Sequence, residues 1–268
     1  MTTIKNGFAR IAYEVRSYFR TPDQVFFTFL FPALMLAIFA TAFGSIEQFA
    51  GGPDGYIDAA TYYLPAMLAA GILLSGVQNL AIDIATEKGD GTLKRLGGTP
   101  LSPISYFIGK LGQVFVTAVL QSAIVIVLGA FVFGADLPSE PERWLTFAWV
   151  FVLGVTTSAL LGIALSAVPR SGKSASAVVI PIVLVLQFIS GVYLQFSMLP
   201  EWLQNLAAVF PLKWMAQGMR AVFLPDGLAV LEQGGVWNLE GVALWLSVWL
   251  VAGLVLSLVT FRWIRRDA

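Results

Sequence analysis

Asp83, Glu87 and Asp90 fall within eight residues of a chain that has neither Cys nor His. Asp83 and Glu87 share a helical face at i,i+4, the spacing at which paired carboxylates could do acid–base or metal-assisted work on a lipid. Little else supports an enzyme. Without His, histidine triads and zinc sites of the usual ligand set are excluded. Without Cys there are no disulfides, thiol nucleophiles or thiolate metal sites, and the redox compartment is undetermined. Gly172-Lys173-Ser174 has the end of a phosphate-binding loop, but the pattern needs a glycine where Ala167 stands, and an apolar run rather than a strand precedes it. We read it as a short basic loop, and expect no ATP site in this chain and no metal.

The elements around these residues belong to a membrane protein. Charged residues make up 12% of the chain, about half the ~25% of soluble domains. The net charge of zero gives no sign of a nucleic-acid partner. Six apolar runs, 25–43, 62–82, 111–133, 144–168, 175–196 and 241–261, are each near the ~20 residues that a spanning helix needs. Pro32 and Pro181 are tolerable kinks. The first run exceeds a signal-peptide core, so Ala40-Thr41-Ala42 is not taken as a cleavage site.

Lys and Arg set the orientation. With the N-terminus inside, the inner side holds Lys5, Arg10, Arg16, Arg20, Lys88, Lys94, Arg95, Lys110, Arg170, Lys173, Arg262, Arg265 and Arg266. The outer side holds Arg143, Lys213 and Arg220, so thirteen of the sixteen cations lie inside. The outer loops carry Glu47, Asp54, Asp58, Asp136, Glu140 and Glu142. Both termini are expected in the cytoplasm.

Residues 1–21 form an amphipathic stretch in which Ile4, Phe8, Ile11, Val15 and Phe19 recur at helical spacing, a helix lying in the membrane surface. Thr21-Pro22 breaks it. Gly154, Ser158, Gly162 and Ser166 make a ridge of small residues for close helix packing. Between the fifth and sixth runs, two short amphipathic helices are expected half-embedded at the outer leaflet, with Trp202 and Trp214 at the interface. Gln78, Asn79, Gln113, Gln121, Thr156, Thr157 and Gln187 are polar but uncharged within runs, which favours bonding between helices over ion coupling. The most polar interval is 87–103. The second span is expected to continue as helix through Asp83, Glu87, Lys88, Leu93 and Leu96. Gly97-Gly98-Thr99-Pro100 turns the chain, and Ser102-Pro103 caps the next helix.

Glu87, Gly91-Thr92-Leu93, Leu96 and Thr99-Pro100-Leu101 resemble the pattern of the type-2 ABC exporter permeases, membrane subunits of bacterial drug and polysaccharide exporters. Ser190-Gly191, Leu199-Pro200 with Trp202-Leu203, Pro211-Leu212 and Arg220 are similar to the family's outer re-entrant segment, and Gln195 departs where proline is frequent. The resemblance covers nearly the whole chain. It implies an all-α integral membrane fold of one permease domain, 1–268. Its parts are a surface helix (1–21), spans one to three (25–133) with a coupling hairpin (83–110), spans four to six (144–261) with outer re-entrant helices between five and six, and a cytoplasmic tail (262–268).

The resemblance further implies a half-transporter of the bacterial inner membrane. It would pair with a second permease subunit, as homodimer or heterodimer, and bind cytoplasmic ATPase subunits that carry ATP and Mg. Carried over by residue, coupling falls on Glu87, Lys88, Gly91, Thr92, Leu93, Lys94 and Arg95, and the outer gate on Leu199, Pro200, Trp202, Pro211 and Arg220. Gln78, Asn79, Gln187, Phe188 and Tyr193 are candidates for a substrate path, and membrane lipid is a further partner of the spans. Minimal cytoplasmic parts and apolar spans favour a lipophilic drug- or antibiotic-like or lipid substrate, with polysaccharide or peptide export as the alternative. The rivals are the lipid enzyme above and a non-transporting scaffold.

Overall fold

The computed structural model describes residues 2–46, 48–53, 55–261 and 263. Glu47, Asp54, Arg262, Arg265 and Arg266 lie outside them, as does the tail apart from Trp263. The chain is helical almost throughout. Helix α1 (Thr2–Phe19) is followed by α2 (Pro22–Ala42), and a small antiparallel hairpin pairs β1 (Ala50–Gly52) with β2 (Gly55–Ile57). The second span is one long rod: α3 (Ala59–Leu73), a π-helical stretch over Leu74–Asn79, and α4 (Leu80–Gly89). A short α5 (Thr92–Gly97) leads to α6 (Pro103–Val132), α7 (Pro141–Leu165) and α8 (Gly172–Ile189). Two short helices, α9 (Glu201–Ala207) and α10 (Pro211–Phe223), precede α11 (Leu239–Thr260).

Local chemistry sets these boundaries. Proline, which lacks the N–H that a first helical turn cannot use anyway, opens α2, α6, α7 and α10. Side chains of Asp58, Ser102, Ser171 and Asn238 accept the free backbone N–H groups of α3, α6, α8 and α11. Gly172-Lys173-Ser174, expected as a loop, is the first turn of α8, closed by a capping box between Ser171 and Ser174. Small side chains and free N–H groups favour that cap over a flexible connection.

Six of the helices are long and apolar enough to cross a membrane: α2, the α3–α4 rod, α6, α7, α8 and α11. The rod is the axis of the bundle, with every residue of α3 buried, whereas α2, α8 and α11 turn most of their surface outward. The ridge on α7 packs within the subunit. Gly162 lies against the carbonyl of Gly76 in the π-helical stretch, Ser158 against Gly76 itself, and Gly154 against Met215 of α10.

Loops gather at two ends. At one, which we call the hairpin end, α1 packs along the start of α6, Phe261 stacks on Tyr106 with ring centroids 5.3 Å apart, and Trp263 meets Tyr106 edge-on at 5.5 Å. At the other, the re-entrant end, Arg143 bonds to the carbonyl of Leu224 (2.6 Å) and pairs with Asp226 (3.1 Å).

Candidate functional site

At the hairpin end the rod stops at Gly89 because Asp90 caps it and Gly91 adopts a left-handed conformation (φ +78°), which costs glycine little. Asp90 Oδ1 accepts the N–H of Thr92 at 2.8 Å, which starts α5 in a new direction. The second span therefore does not continue unbroken through Leu93 and Leu96 as expected: the chain turns at Gly91, six residues before Gly97. The C-terminal turn and the cap of α6 are as expected, with Ser102 Oγ accepting from Ser105.

The hairpin residues divide by exposure. Leu93 is buried at 1% exposure and anchors α5. Lys94 and Arg95 are exposed, with Arg95 reaching Thr92 Oγ1 at 3.0 Å, and Lys88 is half-buried. Glu87 faces inward.

There it joins a cluster that sequence reasoning missed. Lys110 of α6, 1% exposed, donates to Asp83 (2.5 Å) and Glu87 (2.6 Å) of α4 and pairs with Glu14 of α1 (2.9 Å). Tyr106 Oη donates to the other oxygen of Glu87 at 2.6 Å, and Arg10 pairs with Glu14 at 2.6 Å. One ammonium with three donors thus meets three carboxylates from two neighbouring helices. The carboxylate oxygens are close enough together to suggest a cation site, and the Lys110 ammonium occupies that position. Asp83 and Glu87 are committed to it, which removes the free carboxylate pair that a lipid enzyme would use. The signals were a lysine immediately before an apolar run and a single acid among the cations of α1.

Beside the cluster lies an open cleft of about 630 Å³ between α1 and the hairpin, lined by Arg10, Tyr13, Asp83, Glu87, Asp90 and Thr92 among others.

The re-entrant end is also polar inside. All thirteen residues of α10 are buried, wedged among α3, α7 and α11. This corrects the expectation of two half-embedded helices: only α9 presents an exposed tryptophan, Trp202, while Trp214 is buried, stacks on Trp245 and donates to Ala208 O at 2.7 Å. Arg220 pairs with Glu232 and donates to Gly191 O at 3.0 Å. The neighbouring carboxylate holds the guanidinium above its ordinary range despite burial. Lys213 bonds to Gln217 and lies 3.9 Å from the ring centre of Trp214. Burial lowers its pKa to about 8. The predicted gate residues therefore part company. Leu199, Pro200 and Trp202 border the exposed edge of α9, whereas Pro211 and Arg220 sit in the core.

The substrate-path candidates form two groups. Gln78 and Asn79 end the π-helical stretch, and Asn79 donates to Thr28 of α2 at 2.6 Å. Tyr193 donates to Gln187 (2.6 Å) and packs on Phe188 (5.1 Å), while Tyr63 Oη donates to the Tyr193 carbonyl (3.3 Å) and Tyr63 stacks on Phe39 (4.3 Å). Of these five residues, Phe188 is exposed to the surroundings of the bundle.

A bundle of six apolar helices with a polar hairpin at one end and a buried re-entrant helix at the other defines a multi-pass membrane protein. Residues 8–224 match the family model for the ABC-2 type transporter, and the chain belongs to that family, whose members are membrane components of transporters. It is similar to the probable multidrug ABC transporter permease YbhR of Escherichia coli K12, 22% identical over 183 residues, covering 68% of this chain and 49% of that protein. The same holds for YbhR of Escherichia coli O157:H7. The chain spans about half the length of the curated relatives it matches.

Proposed function

We propose that this chain is the permease subunit of an ATP-driven exporter, with the hairpin end in the cytoplasm of a bacterium and the re-entrant end outside the inner membrane. The hairpin docks an ABC ATPase, which carries ATP and Mg. A second permease subunit completes the pathway, whose walls come from α2, the α3–α4 rod and α8. The cargo is a lipophilic, drug-like molecule. The multidrug relatives and the apolar character of the spans support that choice.

One observation carries the reading. Lys94 and Arg95 project from a short helix whose underside is fixed by buried Leu93 and whose root, Glu87, is held by Lys110. A docking element needs both an exposed charged tip and a stiff base, because a loose loop would absorb the ATPase's motion. Co-purification of the permease with its ATPase is the test. Lys94→Glu with Arg95→Glu is expected to abolish the association while leaving the permease folded. Undiminished association of the double variant would remove the hairpin from the interface.

A further inference from the structure

Four strips run along α1 in turn as the helix is followed round at ~100° per residue. Gly7, Glu14 and Tyr18 form the seam packed in the protein, where Gly109 and Gly112 of α6 lie against Arg10 and Ile11. Next come Ile4, Phe8 and Phe19, exposed at 56%, 64% and 44%. Beyond them lie Lys5 and Arg16, with Arg20 in the turn that follows the helix, all exposed. Asn6, Tyr13 and Ser17 complete the circuit on the cleft. The packed seam leaves no freedom in this order, so the cations must adjoin the apolar strip.

Among the described residues, Lys5, Arg16 and Arg20 form no ion pair, whereas Arg10, on the cleft side, is paired with Glu14. Arg16, in the last turn of α1, and Arg20, in the turn just past it, are like charges four residues apart, which repel unless an anion lies between them. Asp23, at the start of α2, is exposed and pairs with neither among the described residues. At the start of α2, Phe26 and Phe27 are exposed at 57% and 63%, and Phe19 stacks on Phe29 of the same helix at 6.0 Å.

We propose that Arg16 and Arg20 bind the phosphate of an anionic phospholipid in the leaflet at the hairpin end, with the acyl chains on the Ile4, Phe8 and Phe19 strip. A free phosphate would satisfy the arginines but leave that strip in water; a lipid satisfies both. Two cations at headgroup depth give anionic over zwitterionic lipid a preference of roughly thirty-fold. The proposal rests on the membrane placement given above, but its test involves neither ATPase nor transport, so either can fail without the other.

The experiment follows the melting temperature of the purified protein in detergent during titration with phosphatidylglycerol, phosphatidylcholine or inorganic phosphate. Phosphatidylglycerol is expected to stabilise at a roughly thirty-fold lower concentration than phosphatidylcholine, and inorganic phosphate to have no effect. Arg16→Gln with Arg20→Gln should bring the two lipids to parity. Arg16→Lys with Arg20→Lys, and Lys173→Gln at the same end, should keep the preference. Equal response of the native protein to both lipids, stabilisation by inorganic phosphate alone, or an intact preference in the glutamine variant would each overturn the assignment. Should the glutamine variant fail to fold, loss of the preference in the lysine variant would do so.

Discussion

Lys110 is a single charge on which three helices depend. Removing it as Lys110→Met would leave Glu14 and Glu87 facing one another where water reaches them poorly, and breaking a buried pair in this way costs about 3–5 kcal/mol. The expected result is a large fall in melting temperature, partly restored by adding Glu14→Gln. A fall no larger than that of a surface lysine would mean that solvent already satisfies the cluster. Lys213 gives a prediction in pH. Its folded pKa of about 8 lies below its ordinary 10.5, so between these values the unfolded chain binds more protons and stability rises with pH. Below pH 8 both states are protonated and the whole burial penalty remains. Melting temperatures from pH 7 to 10 should therefore rise for the native protein relative to Lys213→Met; parallel curves would refute the shift.

Among the elements, the packing of α7 on the rod is the most exacting. A methyl group at Gly162 would overlap the carbonyl oxygen of Gly76, which is backbone and cannot swing aside. Gly162→Ala should cost about 1–3 kcal/mol by forcing the helices apart, against little for Gly98→Ala, whose added carbon meets only ordinary contact. Thermal melts of the two variants decide this. The small-residue ridge was legible in sequence because it repeats on one helical face, and the six spans were legible because each is a long apolar run. The joint of Glu14, Asp83, Glu87 and Lys110 was not. Residue 14 meets residue 110 only through the register of α1 on α6, which Gly109 and Gly112 set by close approach, and no local pattern encodes that register. The burial of α10 escaped for a related reason: its charges read as surface until Glu232, Gln217 and the Gly191 carbonyl are seen to receive them.

The whole molecule has two polar ends separated by an apolar waist, and the positive charge lies mostly at one. Because the chain contains no cysteine, an introduced one reports its side without background. Glu140→Cys, at the re-entrant end with a side chain 67% exposed, should react with a membrane-impermeant maleimide in intact cells. Lys94→Cys should react only after the membrane is opened. The reverse pattern would invert the topology, and with it the docking role given to the hairpin.

The π-helical stretch at Leu74–Asn79 stores phase. Its wider turn takes in one extra residue, so everything beyond it on the rod is rotated by about 100° from where a regular helix would put it. Rewound as α-helix, the stretch would carry Asp83 and Glu87 round the axis and away from Lys110. The ion cluster and the wide turn thus fix each other: the salt bridges hold the rotation, and the rotation makes the salt bridges possible. A change in winding at the middle of the membrane would be felt at the hairpin as a swing about the span axis, with no need for the span itself to slide.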